Sequence, residues 1–599
     1  MSEKKVKVKF WRVFWPSLVA GIVVSGLGIL MWLIVIGAFI GGLDDGNKLK
    51  VEDKTVLHMT LDGPIAERAS SDFNPMSFQL NRTLGLSEIL YGLEHAKNDK
   101  KIKGVYLEID MIQCGYATAK EIRDAINDFE ESGKFVVAYN SGEAISQKEY
   151  YIASAANENY GFPTSNMEFL GLGAELMYFK KTLDKLDVEM QVIRGSNNDF
   201  KSAVEPFFRE NMSDSSRLQT ERYLDGMWKL IRSEIAKDRG VSAQKLNDIA
   251  EEASIKSVKD AIKYKLIDEA KYRDEVLDII ASKVGASSGE DVELLSFAKY
   301  SNKRYYQDQK LQQADDPNVA VILAEGEITR NGNGLTSEDI CGLIRDARNN
   351  ESVKTIVLRV NSPGGSALAS DEIWREVQKT NQTKKVIVSM GDVAASGGYY
   401  ISAPASYIFA EPNTITGSIG VFGVIPYTGA MLENNLGLTF DRVATNKHSV
   451  LTTNRKLTEE EFNMIQESVD DIYDDFKGVV AKGRGMTKEQ VDVIARGRVW
   501  TGEDAKNIGL VDELGGLQDA IDYAAEQAGV KDKKVVYYPF AKEDKFAEFI
   551  EALEEQEQTS IKTSTPELPA SLIKHYEQLK TLESYQGIQM RMPYIVNID

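Results

Sequence analysis

Cysteine is nearly missing from this sequence, with only Cys114 and Cys341 in 599 residues. A scaffold braced by disulfides is thereby excluded, although an oxidising compartment is not. Histidine is also sparse. His58, His95, His448 and His575 are the only four, so a His-rich metal centre is not expected, and no motif calls for a cofactor. Basic residues are outnumbered, 71 Lys+Arg against 91 Asp+Glu, and the formal charge of −20 argues against a nucleic-acid partner. What remains is ordinary globular material. Hydrophobic residues are 43% and charged residues 27%, which excludes a disordered or collagen-like chain. The length is about four times that of a single domain, so two or more domains are expected.

Long apolar runs are absent except for one. No residue from Val13 through Leu43 is charged, and this run exceeds the roughly 20 residues that cross a bilayer. Phe14 and Trp15 stand at its border, where aromatic rings favour the interface. Lys4, Lys5, Lys7, Lys9 and Arg12 precede it against one acid, Glu3, and Asp44 and Asp45 follow. The positive-inside rule then leaves residues 1–12 in the cytoplasm and the acidic body on the far side of the membrane. The run is too long for a signal-peptide core, and no small-x-small cleavage site precedes the charges. Residues 13–43 are expected to be a single-pass anchor in a bacterial inner membrane, with the body periplasmic.

The chain resembles itself. SEILYGLEHAKNDKKIKGVYLEI (87–109) is matched by SEDICGLIRDARNNESVKTIVLRV (337–360), GKFVVAYNSGEAISQKEYYIASAA (133–156) by KKVIVSMGDVAASGGYYISAPA (384–405), and SVKDAIKYKLIDE (257–269) by WTGEDAKNIGLVDE (500–513). Three blocks in one order at offsets of 244–251 imply a tandem duplication, roughly 50–285 and 317–545. Within each copy, β-rich apolar runs such as VAVILAEG, TIVLRV, KVIVSM and YIFAEP alternate with amphipathic helices. That alternation predicts an α/β fold with a largely parallel sheet. Residues 286–316 read as a polar linker, and 546–599 as an acidic helix followed by a tail.

Two glycine-bearing turns occur in the second copy only. One follows a strand expected to end at Met390 and carries Ser396-Gly397-Gly398 before a helical run. A serine there lies near free N–H groups and the positive end of a helix, which suit a developing oxyanion. The other, Asn361-Ser362-Pro363-Gly364-Gly365-Ser366, follows strand TIVLRV, where successive glycines let N–H groups point into a site. Either turn alone is more simply a cap or a plain turn. The first copy, however, has Gln147 opposite Ser396 and Asp110-Met111-Ile112-Gln113-Cys114 opposite the second turn. Both devices are lost from the same copy, which fits one live and one degenerate site.

A serine nucleophile needs a base. His448 is the only histidine in the globular part of the second copy, and its surroundings are polar and turn-like. Ala394 stands where GxSxG needs glycine, which disfavours an α/β-hydrolase elbow. A neutral lysine is the alternative, with its pKa brought from about 10.4 toward 7 by burial or nearby cations. Two candidates remain open on this reading. One is Lys201 in DFKSAVEPFF, where Ser202 and Glu205 have capping-box spacing; the other is Lys447. The neighbouring Asp199 would keep Lys201 charged if it turned inward.

Together, the anchor, DFKSAVEPFFRENMS, NSPGGSALASDEI, GDVAASGGYYISAPA and TGSIGVFG resemble the signal peptide peptidase A family, also called protease IV, in its long tandem-repeat form. The resemblance covers about 50–545 and the anchor. It implies a Clp-protease/crotonase-like α/β fold (a ββα superhelix), a Ser-Lys dyad, and no metal or cofactor. Ser396 matches the nucleophile, Lys201 the general base, and Ser418 the serine that orients the lysine. Gly365, with Gly364 beside it, and Gly397 match the oxyanion hole. The implied assembly is a homotetramer around an axial cavity, and the implied substrates are signal-peptide remnants and similar apolar, extended peptides at the membrane. A crotonase-like acyl-CoA enzyme and an idle membrane quality-control scaffold are the alternatives. The anchor and the intact motifs weigh against both.

Overall fold

A computed structural model describes residues 15, 51–69, 71–74, 79–82, 84–314, 316–332, 334–540 and 588–592. The basic segment 1–12, the expected anchor 13–43 (Trp15 apart) and most of the tail 546–599 lie outside them. No helix among the described residues is long and apolar enough to cross a membrane. The chain divides into two compact units. Among the described residues, the smaller takes Trp15, Val51, strand Ser71–Asn74 and all but the last residue of its partner strand Gln79–Arg82. The larger unit holds the sheets and the site described below.

Two parallel sheets dominate the larger unit. The first runs Glu269–Ala270, Glu158–Gly161, Phe135–Asn140, Ile102–Ile109, Thr55–Leu61, Leu294–Ser296. The second has eight strands; its parallel run Glu513–Leu514, Tyr407–Ala410, Lys385–Ala395, Thr355–Ser362, Val319–Glu325, Val535–Tyr538 repeats the same order one copy later, and Ile415–Gly417, with Val499–Thr501 antiparallel to it, also joins Lys385–Ala395. Parallel neighbours need crossovers, and amphipathic helices supply them. Leu86–Asn98 and Tyr116–Glu131 serve the first sheet, Ser337–Asn349 and Ala367–Asn381 the second. Strands with both faces covered are apolar throughout. Val319–Glu325 buries every residue but the last.

Two sequence expectations need correction. Residues 286–316 are not a plain linker, because they form strand Leu294–Ser296 and helix Phe297–Ala314. Phe297, Tyr300 and Tyr305 are fully buried, and Tyr305 packs with Val319 and Val321 of the second copy. Large apolar residues on one helical face outweigh the polar composition. The strand expected to end at Met390 continues to Ala395. Its extension is small and apolar enough to pair Val393 with Ile415 and Ala394 with Thr416.

A third sheet joins the two copies. Its order is Leu335–Thr336, Ile328–Thr329, Gly364–Ser366, Ile588–Arg591, Phe422–Tyr427, Glu189–Arg194. Glu189–Arg194 of the first copy lies antiparallel to Phe422–Tyr427 of the second, from Phe422 opposite Arg194 to Tyr427 opposite Glu189. Elsewhere between the copies, the buried Arg359 guanidinium donates to Glu67 at 2.8 Å and to Glu121 at 2.5 Å. Asp392 accepts the Ala117 and Thr118 N–H groups at 2.9 Å, capping helix Tyr116–Glu131 from the other copy.

Candidate active site

Strand Lys385–Ala395 delivers Ser396 directly to the helix Gly397–Ser402. The turn is sharp. Ser396 has φ 56° and ψ −113°, a conformation L-residues rarely hold. Its N–H donates to Gly417 O at 2.8 Å, and its own carbonyl accepts from Tyr400 N–H at 2.8 Å. These bonds hold the strained residue in place and set its hydroxyl inward. The GxSxG pattern is absent, yet a strained strand-to-helix elbow is present.

Lys201 reaches this serine from the first copy. After strand Glu189–Arg194 the chain turns back on bonds from Gly195 N–H to Val421 O (3.0 Å) and Phe200 N–H to Arg496 O (3.0 Å). Gln219 then donates to Phe200 O at 3.1 Å and to Ser202 Oγ at 2.9 Å, while its own carbonyl oxygen accepts from Val499 N–H at 3.2 Å. Gly497, with φ 78°, lies flat against the lysine; a Cβ there would stand 2.5 Å from Lys201 Cβ. The expected capping box between Ser202 and Glu205 does not form. Ser202 is taken by Gln219, and Glu205 accepts the N–H and Oγ–H of Ser213 instead.

Lys201 Nζ lies 2.8 Å from Ser396 Oγ, 2.9 Å from Ser418 O and 3.0 Å from Ser418 Oγ. Lys201, Ser396 and Ser418 are all fully buried. Burial pushes the lysine well below its ordinary range, and no carboxylate among the described residues faces it. A neutral amine has two N–H groups and one lone pair. Ser418 O only accepts, and Ser418 Oγ donates onward to Gly497 O at 3.4 Å, so both accept hydrogen bonds from the amine. The lone pair is left for the Ser396 O–H. Asp199 does not interfere, because it is half exposed and paired with Arg496.

Gly364 and Gly365 stand beside this pair. Gly365 has φ 156°, and a Cβ on it would meet Ile328 O at 2.0 Å. The Gly364 N–H already donates to Ser362 Oγ at 3.2 Å, so Gly364 contributes room rather than a donor. A Cβ on Gly364 would come 2.6 Å from the Gly397 nitrogen, which places the Gly397 backbone against the glycine strand. The rival base is elsewhere. Lys447 is exposed and paired with Glu460, and His448 lies near Glu460 and Glu461. Gly497 and Gln219 carry little sequence signal. A glycine between two arginines is a weak signal, and nothing in the local pattern marks Gln219.

Residues 128–287 and 378–531 both match the model of peptidase family S49. Protease 4 of Salmonella typhi is 35% identical over 88% of this chain and 87% of its own length. The chain belongs to peptidase family S49. It is a serine protease of the tandem kind, with one S49 match in each copy. Protease 4 of Haemophilus influenzae is 33% identical over 86% of each chain. The chloroplastic serine protease SPPA of Arabidopsis thaliana is 32% identical over 81% of this chain and 71% of its own. Among solved structures, a ClpP1 mutant from Listeria monocytogenes covers 36% of this chain and 98% of its own at 18% identity, with a TM-score of 0.25.

Proposed function

We propose that this S49 protease is a membrane-anchored endopeptidase with Ser396 as nucleophile and Lys201 as general base. The observation that carries the reading is a fully buried lysine whose amine lies 2.8 Å from Ser396 Oγ, with no acid beside it among the described residues. Lys201 takes the Ser396 proton as Oγ attacks a peptide carbonyl, and Ser418 holds the amine so that its lone pair faces the hydroxyl. The N–H groups of Gly365 and Gly397 stabilise the oxyanion. Lys201 then returns the proton to the leaving amine, and water releases the acyl group by the reverse path.

The substrates of this reading are signal-peptide remnants and other apolar peptides in extended form. The third sheet supports it, because strands Gly364–Ser366 and Phe422–Tyr427 flank an extended segment. Residues 13–43 are the anchor of this reading and hold the body at the outer face of a bacterial inner membrane, where tethering raises the local concentration of such peptides. The domain lines are 50–285, supplying the lysine, and 317–545, supplying the serine, within a Clp/crotonase-like duplication. A homotetramer is part of the reading. Exposed Leu436, Leu438, Phe440, Val443 and Leu451 cluster within one segment and support a further interface.

The test is hydrolysis of a fluorogenic apolar peptide, together with fluorophosphonate labelling at Ser396. Ser396→Ala and Lys201→Ala should each lose turnover, and Lys447→Ala should keep it. Loss in Lys447→Ala with retention in Lys201→Ala would move the base into the second copy and overturn the reading.

A further inference from the structure

Segment Ile588–Arg591 belongs to neither parallel sheet, yet strands of the site enclose it on both sides. It runs antiparallel to Gly364–Ser366 with Met590 opposite Gly365, and antiparallel to Phe422–Tyr427 with Gln589 opposite Phe422. The Met592 N–H donates to Pro363 O at 2.7 Å, which marks a hydrogen-bonded pair. Antiparallel pairs alternate, so Gly365 and Met590 form the next one, and the Gly365 N–H faces the Met590 carbonyl. A Cβ on Gly364 would stand 2.1 Å from that carbonyl oxygen, and one on Gly397 3.1 Å from it. The Met590 carbonyl thus lies where the proposed oxyanion donors converge. The bond offered to Ser396 is the one that follows, between Met590 and Arg591.

The side chains of this segment alternate. Met590 is buried in the core of the second copy, and Met592 packs with Tyr223, Met227, Ile415 and Val499. Arg591 turns to the opposite face, where its Nη1 donates to Glu327 Oε1 at 2.8 Å. Both side chains are largely shielded, at 7% and 22% exposure. Glu327 immediately precedes Ile328, which pairs with Gly365. The carboxylate therefore stands on the wall that carries the oxyanion glycine.

We propose that Glu327 is a specificity-determining residue, selecting a basic side chain directly after the cleaved bond in an extended segment whose preceding residue is apolar. The inference rests on the Ser396–Lys201 reading. Strand 588–591 is a segment of this chain that shows which occupant fits. In the reaction the carbonyl of the apolar residue bonds to Ser396 Oγ. The carbon–nitrogen bond breaks, and the amine of the basic residue leaves with the proton carried by Lys201. A neutral residue in that place leaves a shielded carboxylate without its partner, and an acidic one adds repulsion.

The experiment uses the full chain in detergent and three peptides of sequence Tyr-Gln-Gly-Ile-Gln-Met-X-Met-Pro-Tyr, with X as Arg, Gln or Glu; the Arg form is residues 585–594. Products are identified by mass spectrometry. Wild type should cut the first peptide between Met and Arg, with kcat/KM about tenfold above the Gln peptide and lower still for Glu. Glu327→Gln should erase the preference, and Glu327→Lys should reverse it toward the Glu peptide. Equal cleavage of all three by wild type, cleavage at another bond, or an unchanged ranking in Glu327→Gln would overturn the inference. An uncharged apolar peptide separates the two readings. If it is cut by wild type and spared by Ser396→Ala while the ranking fails, the dyad stands and the selector falls. If nothing is cut and Ser396 does not label, both fall.

Discussion

Ser396 and Lys201 show how two costs are combined in one site. Ser396 holds a backbone conformation that costs on the order of 1–3 kcal/mol. Lys201 is buried without a counter-charge among the described residues, and burial lowers its pKa so that the amine is neutral at pH values where an exposed lysine is charged. Ser396→Ala should lower kcat by at least about a thousandfold, read by peptide hydrolysis, and Lys201→Ala by a similar factor. Ser418→Ala removes one proton acceptor and leaves the carbonyl; a loss of about 10–100-fold is expected. The sign of the pH effect follows from the lowered folded-state value. The folded protein binds fewer protons at Lys201 than the unfolded chain does, so stability rises with pH up to the unfolded lysine value of about 10.4. It falls as pH drops toward the folded value. Lys201→Met should therefore raise Tm at pH 7, and the gain should vanish near the unfolded value. Thermal melts across pH check this, and a gain independent of pH would contradict it. Hydrolysis in wild type should rise with pH through the depressed lysine value.

The elements that matter most are the ones that cross between copies. Strand Glu189–Arg194 leaves the first copy and pairs along Phe422–Tyr427, and the loop after it carries Lys201 to the serine. Gly497 and Gln219 fix that loop. Gly497→Ala would put a methyl group within contact of Lys201 Cβ and displace the amine. A loss of about 10–100-fold in kcat is expected, with fluorophosphonate labelling of Ser396 slowed to match and Tm changed far less. The main strands and helices of both sheets were legible in the sequence, because apolar runs and amphipathic spacing are local signals. Helix Phe297–Ala314 was hidden by its polar composition, and the extension to Ala395 by its short residues. Pairing decided that extension, since strand Ile415–Gly417 supplies partners from outside the local window.

Across the whole molecule, the duplication is held together by buried charge as well as by the shared sheet. Arg359 from one copy joins Glu67 and Glu121 from the other, and burial of this cluster raises the Glu121 carboxyl above its usual range. Arg359→Met leaves two buried acids without their partner. A destabilisation of about 3–5 kcal/mol is expected, measured by denaturant unfolding. Glu67→Gln combined with Glu121→Gln in the same background should recover part of it. The same arrangement explains why neither copy suffices for the proposed chemistry. One contributes the amine, the other the hydroxyl and the glycine turns, and each half alone should be inactive.

The sequence by itself determined the duplication, the alternation of strands and helices, and the placement of both glycine turns, with Ser396 in one of them. All of these are written in contiguous residues, where period and turn chemistry are readable. It left the lysine open on residue type alone, because Lys201 and Lys447 differ in nothing local that sets a pKa. Only the tertiary structure separated them, by burying one beside Ser396 and leaving the other on the surface with Glu460. It alone also seated Ile588–Arg591 between the site strands and set Arg591 against Glu327. Desolvation and strand pairing depend on residues hundreds of positions apart, and no local pattern encodes them.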